Sequence, residues 1–150
     1  MFNGSGNITK VNFGPKVRHI GENAFYQCFY LREVNFNEGL LTIGAHAFYM
    51  DYLPNITLPS TLTSIGYRAF AETGVTSLFI PSSVTVMEEA FYDCYCITSV
   101  EFENPVGWKL YSSSTATTGT EVQISATDFA VNAQLFDPSS AYQNKYWKRG

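Results

Sequence analysis

Charged residues are scarce in this sequence, which has 150 residues of which 15% are Asp, Glu, Lys or Arg. Soluble domains usually carry about a quarter, so the surface must consist largely of Ser, Thr, Asn and Tyr. Nine basic residues stand against thirteen acidic ones, and the net charge is −4. A nucleic-acid partner requires a basic stripe. The one basic group, at Lys145, Lys148 and Arg149, is interpreted as a solvated terminus, and we expect no nucleic-acid partner.

Long apolar runs are also missing. No stretch approaches the roughly 20 residues that a membrane-spanning helix needs, and residues 1–6 lack the features of a signal peptide. Two expectations stay open on this evidence alone: a cytosolic protein, or an excised piece of a larger secreted protein.

The chain does contain two short sequence motifs, or phrases, that recur with nearly the same period. Ile-Gly-x-x-Ala-Phe occurs three times and, in a shortened form, a fourth time, so that phenylalanines fall at positions 25, 48, 70 and 91. A second phrase, apolar-x-x-apolar-x-apolar, ends at positions 13, 36, 58, 80 and 102. Two phase-locked ladders with steps of 21 to 23 residues predict a solenoid of stacked coils.

Each coil is predicted to hold a strand, a polar or Pro-containing corner, a second extended piece that ends at Gly, and one helical or 3-10 turn carrying Ala-Phe. The Gly predicts either a positive φ or a close contact with the neighbouring coil. The phenylalanines are expected to stack as an offset column, one strand spacing apart. The fourth coil lacks the Gly, which predicts a tightened or kinked corner there.

The repeat ladder stops at Pro105, so we divide the chain into a solenoid of four to five coils (residues 1–105) and a capping module (residues 106–150). In the cap, we expect a strand at residues 121–124, a capped turn at residues 125–128, and a helix beginning at Asp137. The buried face of that helix would be formed by Tyr142, Tyr146 and Trp147.

The other end of the solenoid is predicted to be open. Residues 1–7 are too polar and Gly-rich to cover it, so the strand edge at residues 8–13 would invite pairing with another chain. Self-association through this open N-terminal edge is therefore one of the expected interactions.

Cysteine and histidine are too few and too scattered for an evident chemical site. Cys28 and Cys94 each follow a repeated Phe by three residues, which favours core packing, and Cys96 adds only an isolated C-x-C. His19 and His46 occupy different positions of the coil, and no motif typical of catalysis is present. We therefore expect no enzyme activity, no metal and no cofactor.

The candidate interaction residues lie on two surfaces. On the outward side of the strands, Phe79 interrupts a polar face and is the sharpest candidate anchor. The same face carries Asn12, Glu33, Asn35, Thr57 and Glu101. The second candidate is the group of tyrosines after each Ala-Phe, which serves either recognition or inter-coil packing. That group comprises Tyr26, Tyr30, Tyr49, Tyr52, Tyr92 and Tyr95; Tyr26, Tyr49 and Tyr92 are its candidate site residues.

The repeated phrases resemble the BspA-type leucine-rich repeats of surface and secreted proteins from host-associated bacteria and some protozoan parasites. The match is nearly complete over residues 31–51, 53–73 and 75–94, although Asp51 and Thr73 stand where the family has Cys. The resemblance implies a leucine-rich-repeat solenoid with a parallel β-sheet on its concave face, short extended segments and helical or 3-10 turns elsewhere, and a small mixed α/β C-terminal cap.

The resemblance also implies a function class. Family members are long, exported and implicated in adhesion, and no catalytic residues carry over. We therefore expect a secreted or cell-surface interaction module, as part of a longer exported protein, that binds host extracellular or microbial surface proteins. Two alternatives stay open: a structural C-terminal cap of a longer repeat array without its own ligand, and glycan binding through exposed tyrosines.

Overall fold

The computed structural model describes residues 2–142 and 144–150, and they form a solenoid closed at its C-terminal end. Its strands are β1 (Lys10–Asn12), β2 (His19–Ile20), β3 (Glu33–Asn35), β4 (Thr42–Ile43), β5 (Ser64–Ile65), β6 (Ser77–Ile80), β7 (Val86–Glu88), β8 (Ser99–Phe102), β9 (Trp108–Tyr111), β10 (Thr120–Glu121) and β11 (Tyr146–Arg149). Helix α1 (Phe129–Ala133) continues into a 3-10 turn, Gln134–Phe136.

Strands from successive coils pair in parallel along two sides of the stack. On the first side β1 pairs with β3 and β6 with β8. On the second side β2, β4, β5 and β7 form one continuous parallel series, which β11, β9 and β10 extend with antiparallel pairing. The core lies between the two sides, where residues such as Val34, Ile43, Phe48 and Ile65 are buried. The predicted solenoid is thereby confirmed.

The first side is interrupted in the third coil, where the sequence predicts another strand but residues 53–58 form none. At this position the backbone N–H of Arg32 donates to Thr9 and that of Thr98 donates to Thr76, both at 2.9 Å. The third coil has Pro54 there, and proline has no N–H to donate. The predicted five-strand ladder is therefore split into two pairs.

The Ala-Phe segments form successive hydrogen-bonded turns instead of the single helical or 3-10 turn that the sequence predicts. His46 and Met50 adopt positive φ angles of 52° and 59° in these turns. Alternate N–H groups donate to the next coil, as Phe25 does to Ala47 and Phe48 to Ala69, each at 2.8 Å. We call these inter-coil bonds the turn ladder. A helical turn would point its N–H groups back along its own coil and leave the ladder unmade.

The phenylalanine column is confirmed. Phe25, Phe48, Phe70 and Phe91 stack face to face with ring centroids 5.3, 5.2 and 5.5 Å apart. Such offset stacks stabilise the core beyond the area they bury.

The column begins one ring earlier than the repeat phrase indicates. Phe2 stacks on Phe25 at 5.4 Å, and the N–H groups of Phe2 and Gly4 donate to Ala24 and Tyr26 as in the turn ladder. The expectation that residues 1–7 cover nothing is therefore wrong for residues 2–4. Phe2 itself is 53% exposed, and β1 and β2 keep unpaired outer edges within the described residues. Met1 and Gln143 lie outside the part of the chain that the structure describes.

Close contact with the preceding coil explains two of the three repeated glycines, Gly44 and Gly66. A Cβ on Gly66 would lie 2.9 Å from the backbone nitrogen of Ala45, and one on Gly44 would lie 2.7 Å from that of Glu22. The positive φ falls instead on His46 and Arg68, two residues later.

The shortened fourth coil keeps its register with the third. Ile65 pairs with Met87 just before the deletion, which falls between Met87 and Ala90, and β7 runs on to Glu88, where β11 pairs with it antiparallel. The deletion thus falls at the end of β7, the strand with which the cap strand β11 pairs.

The cap differs from the prediction in its last third. The strand predicted at 121–124 is Thr120–Glu121, whereas the predicted capped turn is present, with Asp128 accepting from the N–H of Val131 at 3.1 Å. The helix predicted from Asp137 is wrong: turns follow Asp137, and Tyr146 and Trp147 lie on β11. An exposed edge on β7 requires a pairing partner, and that requirement outweighs the local helix-start signal.

Candidate interaction surfaces

The outward side chains of the first strand in each coil form what we call the first-strand face. Phe79 lies on it with 45% of its surface exposed, while its neighbours Leu78 and Ile80 are buried. Its cross-strand partner is Glu101, half-buried on β8. Within the part of the chain that the structure describes, no aromatic ring stacks on Phe79 and no guanidinium or ammonium group lies over it. The prediction that Phe79 points outward is thus confirmed.

At the other end of the same face, three predicted residues form one polar network with Lys10. The register places Lys10 opposite Glu33 and Asn12 opposite Asn35. Lys10 Nζ lies 2.7 Å from a carboxylate oxygen of Glu33, and the Asn35 amide donates to Asn12 at 2.7 Å and to Glu33 at 2.9 Å. The bond from Lys10 is the main reason that the pKa of Glu33 is lowered. These side chains are exposed and mutually paired.

Thr57 belongs to neither group. It is exposed on the third coil, in the extended segment without strand pairing that follows Pro54. The predicted residues of this face thus form two groups: the polar network at the N-terminal end and the Phe79–Glu101 pair at the C-terminal end. The interrupted third coil separates the two groups.

The tyrosines named as site residues pack between coils. Tyr26 and Tyr49 stack at 5.1 Å, and His46 contacts both rings edge-on. The hydroxyl of Tyr49 donates to Glu72, which raises the pKa of Tyr49 to about 12. All three tyrosines, including Tyr92, are half-buried. Their role in binding stays a prediction.

A different set of aromatic side chains is exposed. Phe29, Tyr52 and Tyr95 each follow a column Phe by four residues, so they share one coil position, which Gly74 leaves open in the third repeat. We call these three residues the outer aromatic column; Tyr30 is exposed beside it. The residues predicted from the sequence include only tyrosines at this position and therefore omit Phe29. Its equivalence to Tyr52 and Tyr95 in the repeat was the available signal.

Tyrosine rings on this side of the stack hold two guanidinium groups. The Arg68 guanidinium lies 3.8 Å from the ring centroid of Tyr92 and 5.0 Å from that of Tyr67, and its Nε is 3.0 Å from a Glu89 oxygen. Cation–π contact and ion pair thus act on the same group.

The second guanidinium group belongs to Arg32, which lies 4.4 Å from the ring centroid of Tyr52 in the next coil. The outer aromatic column therefore already binds one cation.

A buried polar column runs three residues after each column Phe. It contains Cys28, Asp51, Thr73 and Cys94, all buried, with Thr73 Oγ1 and Cys94 Sγ 3.3 Å apart. The buried, reduced state of Cys28 and Cys94 confirms their predicted packing role. Burial raises the pKa of the Cys94 thiol to about 11, so it is protonated at neutral pH. The column offers no reactive thiolate.

No catalytic or metal-binding arrangement emerges from the described residues. His19 bonds to Thr42 at 2.8 Å on the second side of the stack, and His46 packs among tyrosines. Within residues 2–142 and 144–150 no three His, Cys, Asp or Glu side chains converge as metal ligands. The same part of the chain holds no helix with the length and apolar character needed to cross a bilayer.

Comparison with known proteins gives matches to repeat proteins. A model of the BspA type leucine rich repeat region matches residues 1–117 in six copies. No curated protein matches. A leucine-rich-repeat protein of T. pallidum is 32% identical, with a TM-score of 0.63 over 67% of this chain and 48% of that one. A leucine-rich-repeat protein from Bacteroides ovatus is 34% identical, with a TM-score of 0.60 over 67% of this chain and 26% of that one.

The chain therefore spans about half, or about a quarter, of the length of these two solved relatives. The family is a non-enzymatic repeat scaffold whose repeats generally mediate protein interactions, and its members are typically surface or exported proteins. The match covers more than half of the sequence, and its core is the Ile-Gly-x-x-Ala-Phe ladder that builds the turns and the phenylalanine column. The chain belongs to the BspA-type leucine-rich-repeat family.

Proposed function

We propose that this protein is an extracellular or cell-surface interaction module that adheres to host or microbial macromolecules through its repeat surface. The observation that carries the proposal is Phe79, which is 45% exposed on a strand whose alternate residues are buried. Exposed aromatic anchors on a polar surface are typical of binding hot spots. No catalytic role is proposed.

The anchor and its surroundings define the candidate binding site. Phe79 and Glu101 would form its centre, and Thr57, Asn35, Glu33 and Asn12 would supply polar contacts along the first-strand face. Polar rims around a single apolar anchor are common in protein interfaces. The stacked tyrosines Tyr26, Tyr49 and Tyr92 are a second candidate, either for protein or for glycan ligands.

The proposal includes a division of labour along the chain. Residues 1–105 would form the binding solenoid, and residues 106–150 would cap it, which is supported by the pairing of β11 with β7 and the burial of Trp147. The family match runs on to residue 117, past that boundary.

The alternative is a purely structural role, in which the whole segment closes a longer repeat array. Self-association through the outer edge of β1 belongs to the same set of proposals.

The test is a binding screen of the soluble chain against extracellular-matrix proteins, plasma proteins and a glycan array. A Phe79→Ser variant, with an unchanged melting temperature as the folding check, is measured in parallel. We expect saturable binding that the variant weakens about tenfold, as hot-spot truncations do.

One matched control and two tyrosine variants separate the alternatives. Ser99→Ala lies on the same face and should leave binding unchanged. Binding that survives Phe79→Ser but is lost in Tyr26→Ser or Tyr49→Ser would move the site to the tyrosines. Absence of binding to every partner would contradict the interaction role and favour the capping role.

A further inference from the structure

The antiparallel strands of the cap border a cleft at the edge of the core. Leu110 on β9 lies between its partners Thr120 on β10 and Trp147 on β11. Next to this row, a cleft of about 390 Å³ opens between the strands and the turn that precedes β11. Ligand sites usually measure roughly 300–1,000 Å³, so the cleft has the size of a small-molecule site. Its lining residues include Leu110, Ser112, Thr118, Thr120, Tyr142 and Lys145.

Among the lining residues that the structure describes, Lys145 is the charged one. Its two basic neighbours are held by backbone carbonyl groups: Lys148 Nζ donates to Ser114 at 2.8 Å, and the Arg149 guanidinium donates to Asn104 at 3.3 Å. Neither ion pair of the described residues involves Lys145, and its ammonium group donates no hydrogen bond within that part of the chain. Lys145 therefore brings an unpaired positive charge to the cleft.

Three hydroxyl-bearing side chains line the same cleft, those of Ser112, Thr118 and Thr120. None of their hydroxyl groups bonds to another group in residues 2–142 and 144–150. In the loop between them, by contrast, the hydroxyl groups of Ser113 and Thr115 bond to each other at 3.3 Å. The cleft thus offers three hydroxyl groups that can each donate and accept.

Two further residues shape the cleft. Gly119 fits closely against the Tyr111 ring, where a Cβ would lie 2.7 Å from the nearest ring atom. Tyr142 is 39% exposed and lines both this cleft and a much smaller cavity beside Phe136 and Trp147. Its ring adds a flat apolar surface to the polar groups.

These groups select the chemistry of a ligand. One unpaired ammonium group matches one acidic group, and its hydrogen bonds to a carboxylate are stronger than bonds between neutral groups. An acid that is otherwise apolar would cover the three hydroxyl groups without pairing them, which costs free energy. A sugar acid supplies the carboxylate, hydroxyl groups for pairing, and an apolar C–H face for the ring.

We propose that this cleft binds a sugar unit that carries a carboxylate, such as a uronic acid or a sialic acid. Lys145 pairs with the carboxylate. Ser112, Thr118 and Thr120 exchange hydrogen bonds with the sugar hydroxyl groups, and the Tyr142 ring packs against the sugar.

This inference goes beyond the proposed function because the cleft lies in the cap. Phe79 lies on β6 of the solenoid, and the stacked tyrosines Tyr26 and Tyr49 lie on its turns. Loss of binding at any one of these places therefore leaves the others measurable.

The probes are methyl glucuronide and methyl glucoside, which differ only in the carboxylate, and the methyl glycoside of sialic acid. Cyclohexanecarboxylate, which has the charge without the hydroxyl groups, is the fourth probe. Each is titrated into the isotopically labelled full chain while amide chemical shifts are recorded. We expect saturable shifts around Ser112, Thr118 and Lys145 for one or both sugar acids, with a dissociation constant on the order of 1 mM, as is usual for a small polar ligand. The tighter of the two sugar acids identifies the preferred unit.

The decisive variant is Lys145→Gln, which removes the charge and keeps most of the side chain. It should raise the dissociation constant of the sugar acid about tenfold, the size expected for a hydrogen bond to a charged group. Lys109→Gln, on an exposed lysine of β9 outside the cleft, makes the same change in net charge and should have no effect.

A second pair of variants tests the hydroxyl groups. Thr118→Val keeps the shape of the side chain and should weaken binding about threefold, as loss of a neutral hydrogen bond does. Thr117→Val, on the neighbouring exposed residue that does not line the cleft, should leave binding unchanged. Phe79→Ser should also have no effect on the sugar acids.

Four results would overturn the inference. Equal binding of methyl glucoside would remove the role of the carboxylate, and equal binding of cyclohexanecarboxylate would remove that of the hydroxyl groups. Equal losses in Lys145→Gln and Lys109→Gln would reduce the effect to net charge. Absence of saturable shifts with both sugar acids at 50 mM would show that the cleft does not hold such a unit.

Discussion

Asp51 accepts a hydrogen bond from the backbone N–H of Cys28 at 2.8 Å, while its second carboxylate oxygen has no hydrogen-bond partner in the described structure. The side chain is 1% exposed and stands in the buried column between Cys28 and Thr73. Burial raises the pKa of Asp51 from 3.8 to about 8. The folded chain therefore holds a proton at this site that the unfolded chain has released at neutral pH.

This difference predicts that stability falls as pH rises. Between about pH 4 and pH 8 the folded state binds more protons at Asp51 than the unfolded state, so the free energy of unfolding decreases across that window. Each unit of pKa difference corresponds to about 1.4 kcal/mol, and the expected total is a few kcal/mol. Thermal melts at several pH values measure it.

Asp51→Cys is the matched variant, because Cys28 and Cys94 already occupy the same coil position. It should be more stable than the parent at pH 8 and should lose the fall in stability across the window. A parent whose melting temperature stays constant from pH 4 to pH 8 would show that Asp51 is not protonated in the folded chain.

Truncation of the phenylalanine column should be costly at its centre. Phe48 is fully buried and stacks on Phe25 and Phe70, so Phe48→Ala should reduce the free energy of unfolding by about 3–5 kcal/mol. Phe2→Ala should cost clearly less, since Phe2 is half exposed and stacks on one side only. Chemical denaturation gives both values, and equal losses would contradict the stacked column.

The role of the repeated glycine can be tested with a matched pair. In Gly66→Ala the new Cβ would meet the backbone of Ala45 at 2.9 Å and Gly44 at 3.0 Å, which forces the two coils apart. In Gly21→Ala it would meet nothing within 4 Å. We expect a loss of about 1–3 kcal/mol for Gly66→Ala, the usual cost of overpacking, and little change for Gly21→Ala. Similar melting temperatures for the two variants would contradict the close-contact explanation.

The cap is attached to the last coil through a buried amide. Asn132 donates to the carbonyl groups of Val100 and Ser125 at 3.0 and 2.8 Å and accepts from the Ser125 N–H at 2.8 Å. Asn132→Ala leaves these groups unpaired, and we expect a loss of about 1–3 kcal/mol. Asn55→Ala, on the surface, is the control. Hydrogen exchange should show faster exchange in β8 and α1 for Asn132→Ala; unchanged exchange there would contradict the attachment.

The repeat period alone was sufficient to predict the solenoid, the spacing of its coils and the stacked phenylalanines. Inward and outward alternation then placed Phe79 correctly, because β-strand geometry leaves only two directions. These features depend on local sequence patterns. Because the same pattern recurs in every coil, each coil supports the same prediction independently.

Features that depend on a single residue or on distant pairing were missed. Pro54 removes one N–H and interrupts the strand pairing on the first side of the stack. Phe2 extends the phenylalanine column although no Ile-Gly-x-x-Ala precedes it. β11 forms where the sequence predicts a helix. Its pairing with β7 joins residues 58 to 62 positions apart, which a local pattern does not reveal. The repeat shows that Phe29, Tyr52 and Tyr95 share one coil position. Only the packing of the coils in the structure shows that this position is exposed.

We propose above that the first-strand face around Phe79 is an interaction surface. The most direct test is to record amide chemical shifts of the isotopically labelled chain while adding the partner found in the binding screen. We expect the largest shifts in Ser77–Ile80 and Ser99–Phe102, and we expect Phe79→Ser to abolish them. Shifts confined to residues 106–150, or a screen in which no partner binds, would contradict it.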